Sequence, residues 1–133
     1  MAARRSRARE VALQVLYQDD LNPQHNPAVS DLFLQKRLRG SELVEFARSL
    51  VAGVRRNRQE LDEVLSQIAE HWSLGRMAAT DRNVLRLGAY EILYSYTPDR
   101  VAINEAVELA KRFGARQSAQ FVNGILDRLL EKK

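Results

Sequence analysis

Residues 84–96 most constrain what this 133-residue chain can fold into. Their apolar positions, Val84, Leu85, Leu87, Ala89, Tyr90, Ile92, Leu93 and Tyr94, run almost all the way round a 3.6-residue repeat. That is the pattern of a helix enclosed by other helices. Thr80 and Asp81 supply a cap and a dipole-compatible acid at its start, and Thr97-Pro98-Asp99-Arg100 stops it. A core helix of this kind needs amphipathic neighbours.

The rest of the chain supplies them. Ala8, Val11, Ala12, Val15 and Leu16 share one face of a first helix that begins near Ser6, a plausible N-cap, and ends at the turn-forming stretch 20–27 with its two prolines. Ser30 caps a short helix to about residue 38, and Gly40 stops it. Ser41 opens a third helix with Leu43, Ala47, Leu50, Val51 and Val54 on one face. Asn57 at N-cap and Glu60 at N3 read as a capping box for a fourth, built on Leu61, Val64, Leu65, Ile68 and Trp72; the two read equally as one bent rod. The weakly patterned link 73–79 divides an N-terminal subdomain of about 1–72 from a C-terminal one of about 80–133. Ile103, Ala106, Val107, Ala110 and Phe113 form the next stripe, closed by Gly114. Ser118, Phe121, Val122, Ile125, Leu126, Leu129 and Leu130 form the last.

No segment alternates with a period of two, so the fold class is all-α. About seven helices are expected in two packed helical subdomains of a single domain, 1–133, with short connections. Gly53, Gly88 and Gly124 fall inside predicted helices, where each costs about 1 kcal/mol relative to Ala. Close approach between helices is the expected reason.

Charge is distributed unevenly. Removing Arg4, Arg5, Arg7 and Arg9 from the 21 Lys and Arg leaves 17, equal to the 17 Asp and Glu, so the formal +4 resides at the amino terminus. Cations there face the positive end of the helix dipole, at a cost of roughly 0.3–1 kcal/mol each at low salt. Stability alone prefers Asp or Glu. Either the terminus is simply solvated, or an external polyanion offsets the cost. The start is too interrupted by polar residues for a signal peptide or membrane span, and acids return too soon for a transit peptide. No cysteine is present, which suits a reducing cytoplasm.

Chemistry is absent where an enzyme would need it. His25 and His71 stand apart from each other and from carboxylates at metal-ligand spacing, and the acid cluster Glu60-Leu61-Asp62-Glu63 belongs to the first turns expected of a helix. No catalytic residue, metal site or cofactor is expected. That leaves binding.

Two C-terminal runs carry a resemblance. DRNVLRLGAYEIL at 81–93 and VAINEAVELAKRFG at 101–114, the latter continued by FVNGILD at 121–127, resemble the NusB family of bacterial transcription antitermination factors, as does the arginine-rich start ahead of Val11, Leu13, Leu16 and Tyr17. The likeness covers nearly the whole chain. It implies a cytoplasmic helical protein that pairs with NusE, a protein of the small ribosomal subunit, and binds the single-stranded boxA element of nascent RNA. The assembly would join the transcribing RNA polymerase and suppress premature termination, notably on ribosomal RNA operons. The same domain resembles the N-terminal part of an RNA cytosine methyltransferase family, but the chain ends at Lys133 without room for a cofactor-binding domain.

The resemblance assigns Arg4, Arg5, Arg7 and Arg9 to RNA, where guanidinium forks suit phosphate and unpaired bases alike. Arg116, Gln117, Gln120, Phe121 and Asn123 join them from the turn after Gly114. Phe121 also fits the core stripe, and Asn123 fits helix packing. For NusE the carried-over residue is Asp81, with Arg82, Arg86 and Tyr90 nearby; Asp81 serves equally as a helix-start acid and Arg82 as an ion-pair partner. Whether the free protein is a homodimer stays open. Two other classes compete: a helix-turn-helix that reads duplex DNA with Arg116, Gln117, Gln120 and Asn123, and a protein adaptor without nucleic-acid contact.

Overall fold

The computed structural model describes residues 2–133, with side chains from Arg4 onward. Among them are six α-helices: α1 (Ala2–Leu21), α2 (Pro27–Arg37), α3 (Ser41–Ile68), α4 (Ala79–Tyr94), α5 (Asp99–Phe113) and α6 (Ser118–Lys132), with a 3-10 turn at Leu74–Arg76. The all-α class holds, with six helices where about seven were expected.

The missing boundary is the one at Asn57. α3 runs unbroken for 28 residues, about 40 Å at 1.5 Å per residue. The stripe of Ala47, Leu50, Val51 and Val54 passes into Leu61, Leu65 and Ile68 without a change of phase. Asn57 therefore sits inside the helix and its Nδ2 donates to the Gly53 carbonyl at 2.8 Å. No capping box forms. α3 stops at Ile68, which leaves Trp72 beyond the helix, 57% exposed and edge-on to Phe121 with ring centroids 5.9 Å apart.

Other ends move for similar reasons. Ser6 is not an N-cap, because the arginine-rich run is itself helical; its hydroxyl instead donates to Glu105 Oε1 at 2.6 Å. α2 begins before Ser30, with Pro27 in its first turn and Asn26 Oδ1 accepting the Ala28 N–H at 2.9 Å. Gly40 adopts φ 92°, a backbone region that favours glycine, and so turns the chain from α2 directly into α3. α4 is preceded by Ala78, which makes no side-chain cap, so Thr80 lies within the helix while Asp81 is its first-turn acid.

α4 is the enclosed helix the sequence required. It packs against α1, α3, α5 and α6, and its residues 83–89 are all buried. Leu50, Leu61, Leu65, Leu85, Leu87, Ile92, Ile103, Ile125 and Leu126 meet in one hydrophobic core, each worth roughly 1.5–3 kcal/mol of burial. Glycine sets the spacing at two points. A Cβ on Gly53 would lie 2.1 Å from the Tyr90 ring, and one on Gly88 would lie 2.7 Å from Leu126. Gly124 departs from expectation: a Cβ there meets nothing within 4 Å.

Candidate nucleic-acid interface

α1 brings the candidate residues of the amino terminus onto the bundle. Arg9 meets Glu91 near the end of α4, whereas Asp20 meets Asn83 near its beginning, so the two helices run antiparallel. Both ends of α1 carry the wrong sign for the helix dipole: arginines at the start, Asp19 and Asp20 at the finish.

The acid end is answered from within. Asp19 accepts from Arg55 Nε at 2.7 Å and Nη2 at 2.8 Å and also contacts His25 Nε2. His25, which has no carboxylate at metal-ligand spacing, is tied to Asp19 because the turn 22–26 folds it back upon α1. Asp20 accepts from Arg82 Nε at 2.7 Å and from Asn83 Nδ2 at 2.9 Å, with Arg86 Nη1 at 3.4 Å. Burial pushes both carboxyls up, but the bonds and charges of Arg55 and His25 on Asp19, and of Arg82, Asn83 and Arg86 on Asp20, outweigh it and hold both below the ordinary value.

At the basic end the four arginines separate. Arg9 is 4% exposed and turns inward. Its Nε and Nη2 make a two-pronged bond to Glu91, each 2.8 Å, and its Nη1 lies 3.4 Å from Glu105. Glu91 is itself 1% exposed and accepts the Thr97 hydroxyl at 2.8 Å. Burial disfavours the Arg9 cation, yet Glu91 and Glu105 more than reverse this and raise its pKa. Arg9 therefore does not belong to the outward set in which the sequence placed it: its guanidinium is committed to two carboxylates from α4 and α5 whose convergence only the fold reveals. Arg7 stays exposed while bonding Glu10 at 3.1 Å, and Glu10 also accepts Arg112 Nη1 at 2.7 Å. Arg4 and Arg5 are exposed and, among the described residues, no acid pairs with either. Arg5 lies over the Phe46 ring, 4.5 Å from its centroid, which steadies the guanidinium.

Arg112 joins this end to the second group. It is in the last turn of α5, one residue before Phe113 and Gly114. Sequence reasoning passed over it because a cation is expected at that helix end. Beyond it the Ala115 N–H is held by Ser118 Oγ at 2.9 Å, which leaves Arg116, Gln117, Gln120 and Asn123 exposed around the start of α6. Phe121 is half-buried against Trp72. The opposite face of α6, Val122, Ile125, Leu126 and Leu129, is buried.

The other proposed face divides differently. Asp81 is half-buried, and its Oδ1 is buried with no hydrogen-bond donor. Arg82 is occupied by Asp20 and by the carbonyls of Leu74 and Met77. Arg86, 4% exposed, makes a two-pronged bond to Asp62 at 2.7 and 3.0 Å. Tyr90 covers Gly53 and stacks on Tyr94. Arg82 and Arg86 thus clamp α1 and α3 to α4 rather than facing a partner. The acids that consume them lie far away in sequence. Beside this face an apolar groove of about 580 Å³ opens, lined by Leu13, Tyr17, Val29, Phe33, Thr80 and Phe113 among others.

Among the described residues no group of acids and histidines could hold a metal ion, and no helix is long and apolar enough to cross a membrane. Residues 6–131 match the NusB family. A transcription antitermination protein NusB from Anaeromyxobacter dehalogenans is 43% identical over 97% of this chain and 92% of its own length. NusB of T. maritima superposes with a TM-score of 0.86 at 36% identity, over 96% of this chain and 91% of the other. Equal superposition, 0.86 at 30% identity over all of both chains, is found in a crystal structure of the antitermination factors NusB and NusE in complex with dsRNA.

Proposed function

The chain belongs to the NusB family of transcription antitermination proteins, and we propose that it acts as a non-catalytic RNA-binding factor that pairs with NusE and engages boxA-type single-stranded RNA in nascent transcripts, notably of ribosomal RNA operons. One observation carries the RNA side. The misplaced acids at the end of α1 are neutralised internally, whereas Arg4 and Arg5 at its start are answered by no acid among the described residues. An external polyanion offsets their cost. Arg7 adds a partly committed fork, and Arg112, Arg116, Gln117 and Gln120 continue the polar edge towards α6. Half-buried Phe121 offers an aromatic ring for stacking, and Asn123 an amide for base edges. Arg9 acts here as a positioning residue, since its bonds to Glu91 and Glu105 fix the direction in which α1 presents its neighbours.

For NusE, the apolar groove and adjacent Asp81 supply the second surface. The groove offers desolvation, and half-buried Asp81 offers a negative charge beside it. The groove reaches the RNA edge at Phe113, next to Arg112, so the two surfaces adjoin, as suits a factor that joins RNA and protein within a cytoplasmic transcription complex.

The deciding measurement is RNA binding against salt, with boxA-type RNA, a scrambled strand, duplex RNA and duplex DNA, each with and without NusE. Binding should favour boxA-type RNA and tighten when NusE is present. Changing Arg4, Arg5 and Arg7 to Ala should weaken binding and flatten the salt slope by roughly 0.7 per lost phosphate contact, with helicity by circular dichroism retained. Unaltered RNA affinity would establish the adaptor reading instead, and preference for duplex DNA the helix-turn-helix one. Asp81→Arg should weaken NusE binding in calorimetry; an unchanged affinity removes Asp81 from that face.

A further inference from the structure

The corner between α2 and α3 collects cations that the RNA reading above does not use. Lys36, Arg37 and Arg39 are all exposed, and among the described residues none is paired with an acid. The chain delivers Arg39 directly to Gly40, and the Arg4 guanidinium lies 3.8 Å from where a Cβ on Gly40 would stand. Two residues of α1 and three of the α2–α3 corner are thereby brought to one edge. Acids near this edge are already engaged: Arg48 binds both Asp31, at 2.7 Å, and Glu45. Glu42 remains, in the first turn of α3, where the dipole favours it.

The guanidinium groups are also presented in a particular way. Arg37 lies over Phe33 with 4.9 Å to the ring centroid, and Arg5 lies over Phe46 at 4.5 Å. A guanidinium resting over a ring is steadied by the ring's negative face, and its fork of N–H donors suits phosphate oxygens in pairs. Two such platforms flank Arg4 and Arg39. The helix dipole explains Lys36 and Arg37 at the end of α2. It does not explain Arg39, which lies past the helix, nor its neighbour Arg4 at the wrong end of another.

We propose that Lys36, Arg37 and Arg39 form with Arg4 and Arg5 one phosphate-binding edge, so that RNA held at the arginine-rich start extends across the α2–α3 corner. This rests on the RNA-binding reading and enlarges its footprint. The corner adds cations, and the Phe33 ring there is already covered by Arg37, so its contacts are to phosphate rather than to stacked bases. Its ligand is the sugar-phosphate backbone of RNA flanking the recognised element.

The test compares a boxA-length RNA with the same RNA extended at both ends. Substituting Lys36, Arg37 and Arg39 by Gln should flatten the salt slope for the extended RNA by roughly 2, at roughly 0.7 for each of three contacts, and leave the boxA-length RNA unaffected. Arg39→Gln alone, outside any helix, should flatten it by roughly 0.7, which separates phosphate contact from helix stability. Unchanged slopes in both corner variants, with binding still lost on substitution of Arg4, Arg5 and Arg7, would overturn the extended edge and leave the RNA reading intact. Unchanged RNA binding in every variant would overturn both. Loss of NusE binding with RNA binding intact would reassign the corner to protein and overturn the proposal.

Discussion

The two ends of α1 present the same electrostatic fault and resolve it in opposite ways. At the carboxyl end, Asp19 and Asp20 face a negative dipole, and arginines from α3 and α4 pair with them. At the amino end, only Arg9 is fully taken inward, by Glu91 and Glu105, and Arg7 is shared with Glu10. Arg4 and Arg5 are left outward. An unfavourable charge is thus a structural device where the fold provides its counter-ion, and is left to the proposed external polyanion where it does not.

The largest effect should come from breaking the inward pair. Glu91→Ala leaves Arg9 buried without its main partner and should cost about 3–5 kcal/mol in urea unfolding; a loss below about 1 kcal/mol would mean that Glu105 alone suffices, and would weaken the contrast between Arg9 and its neighbours. Next is the acid end. Asp20→Ala removes the acceptor of Arg82 Nε and one of the two acceptors of Asn83 Nδ2 and should cost about 1–3 kcal/mol, with RNA affinity unchanged; reduced RNA affinity would show that the two ends do not act separately.

Acid should expose the same difference without mutation. The folded pKa values of Asp19 and Asp20 lie below the ordinary 3.8, so the unfolded chain takes up these protons first as pH falls. Their stabilisation is complete above that value and is lost as pH drops through the lower folded values. Arg55→Gln should flatten the acid limb of a stability-against-pH curve; identical limbs would mean that the Arg55 pair does not hold the Asp19 pKa down. The smallest effect belongs to Arg4→Gln with Arg5→Gln, where relief of the dipole offsets the lost ring contact and unfolding free energy should shift by no more than about 0.5 kcal/mol. A larger loss would make these arginines structural.

Much of the fold was legible in residue patterns. Residues 84–96 demanded burial on nearly every side, and α4 has it through Ile92, while Tyr94 and Tyr96 beyond are exposed. Gly88 inside that helix marked the close approach of Leu126. Asn57 misled because a capping box is a local signal, and the uninterrupted stripe from Leu50 to Leu65 outweighs one side-chain cap. Trp72 misled in the opposite direction, since periodicity continued past Ile68 where the helix does not. Lys36, Arg37 and Arg39 gave no signal at all, because a balanced count of charges conceals which acids are already engaged.

Sequence alone determined that this chain is a helical bundle with a buried central helix, and that its surplus positive charge sits at the amino terminus. Periodicity and composition are local properties, and both survive without knowledge of partners. Which of the four arginines could face outward was decided only by tertiary structure. Arg9 differs from Arg4, Arg5 and Arg7 by its contacts with residues about a hundred positions or fewer away, Glu91 and Glu105. A buried ion pair depends on the convergence of three helices, and no repeat along one helix encodes it.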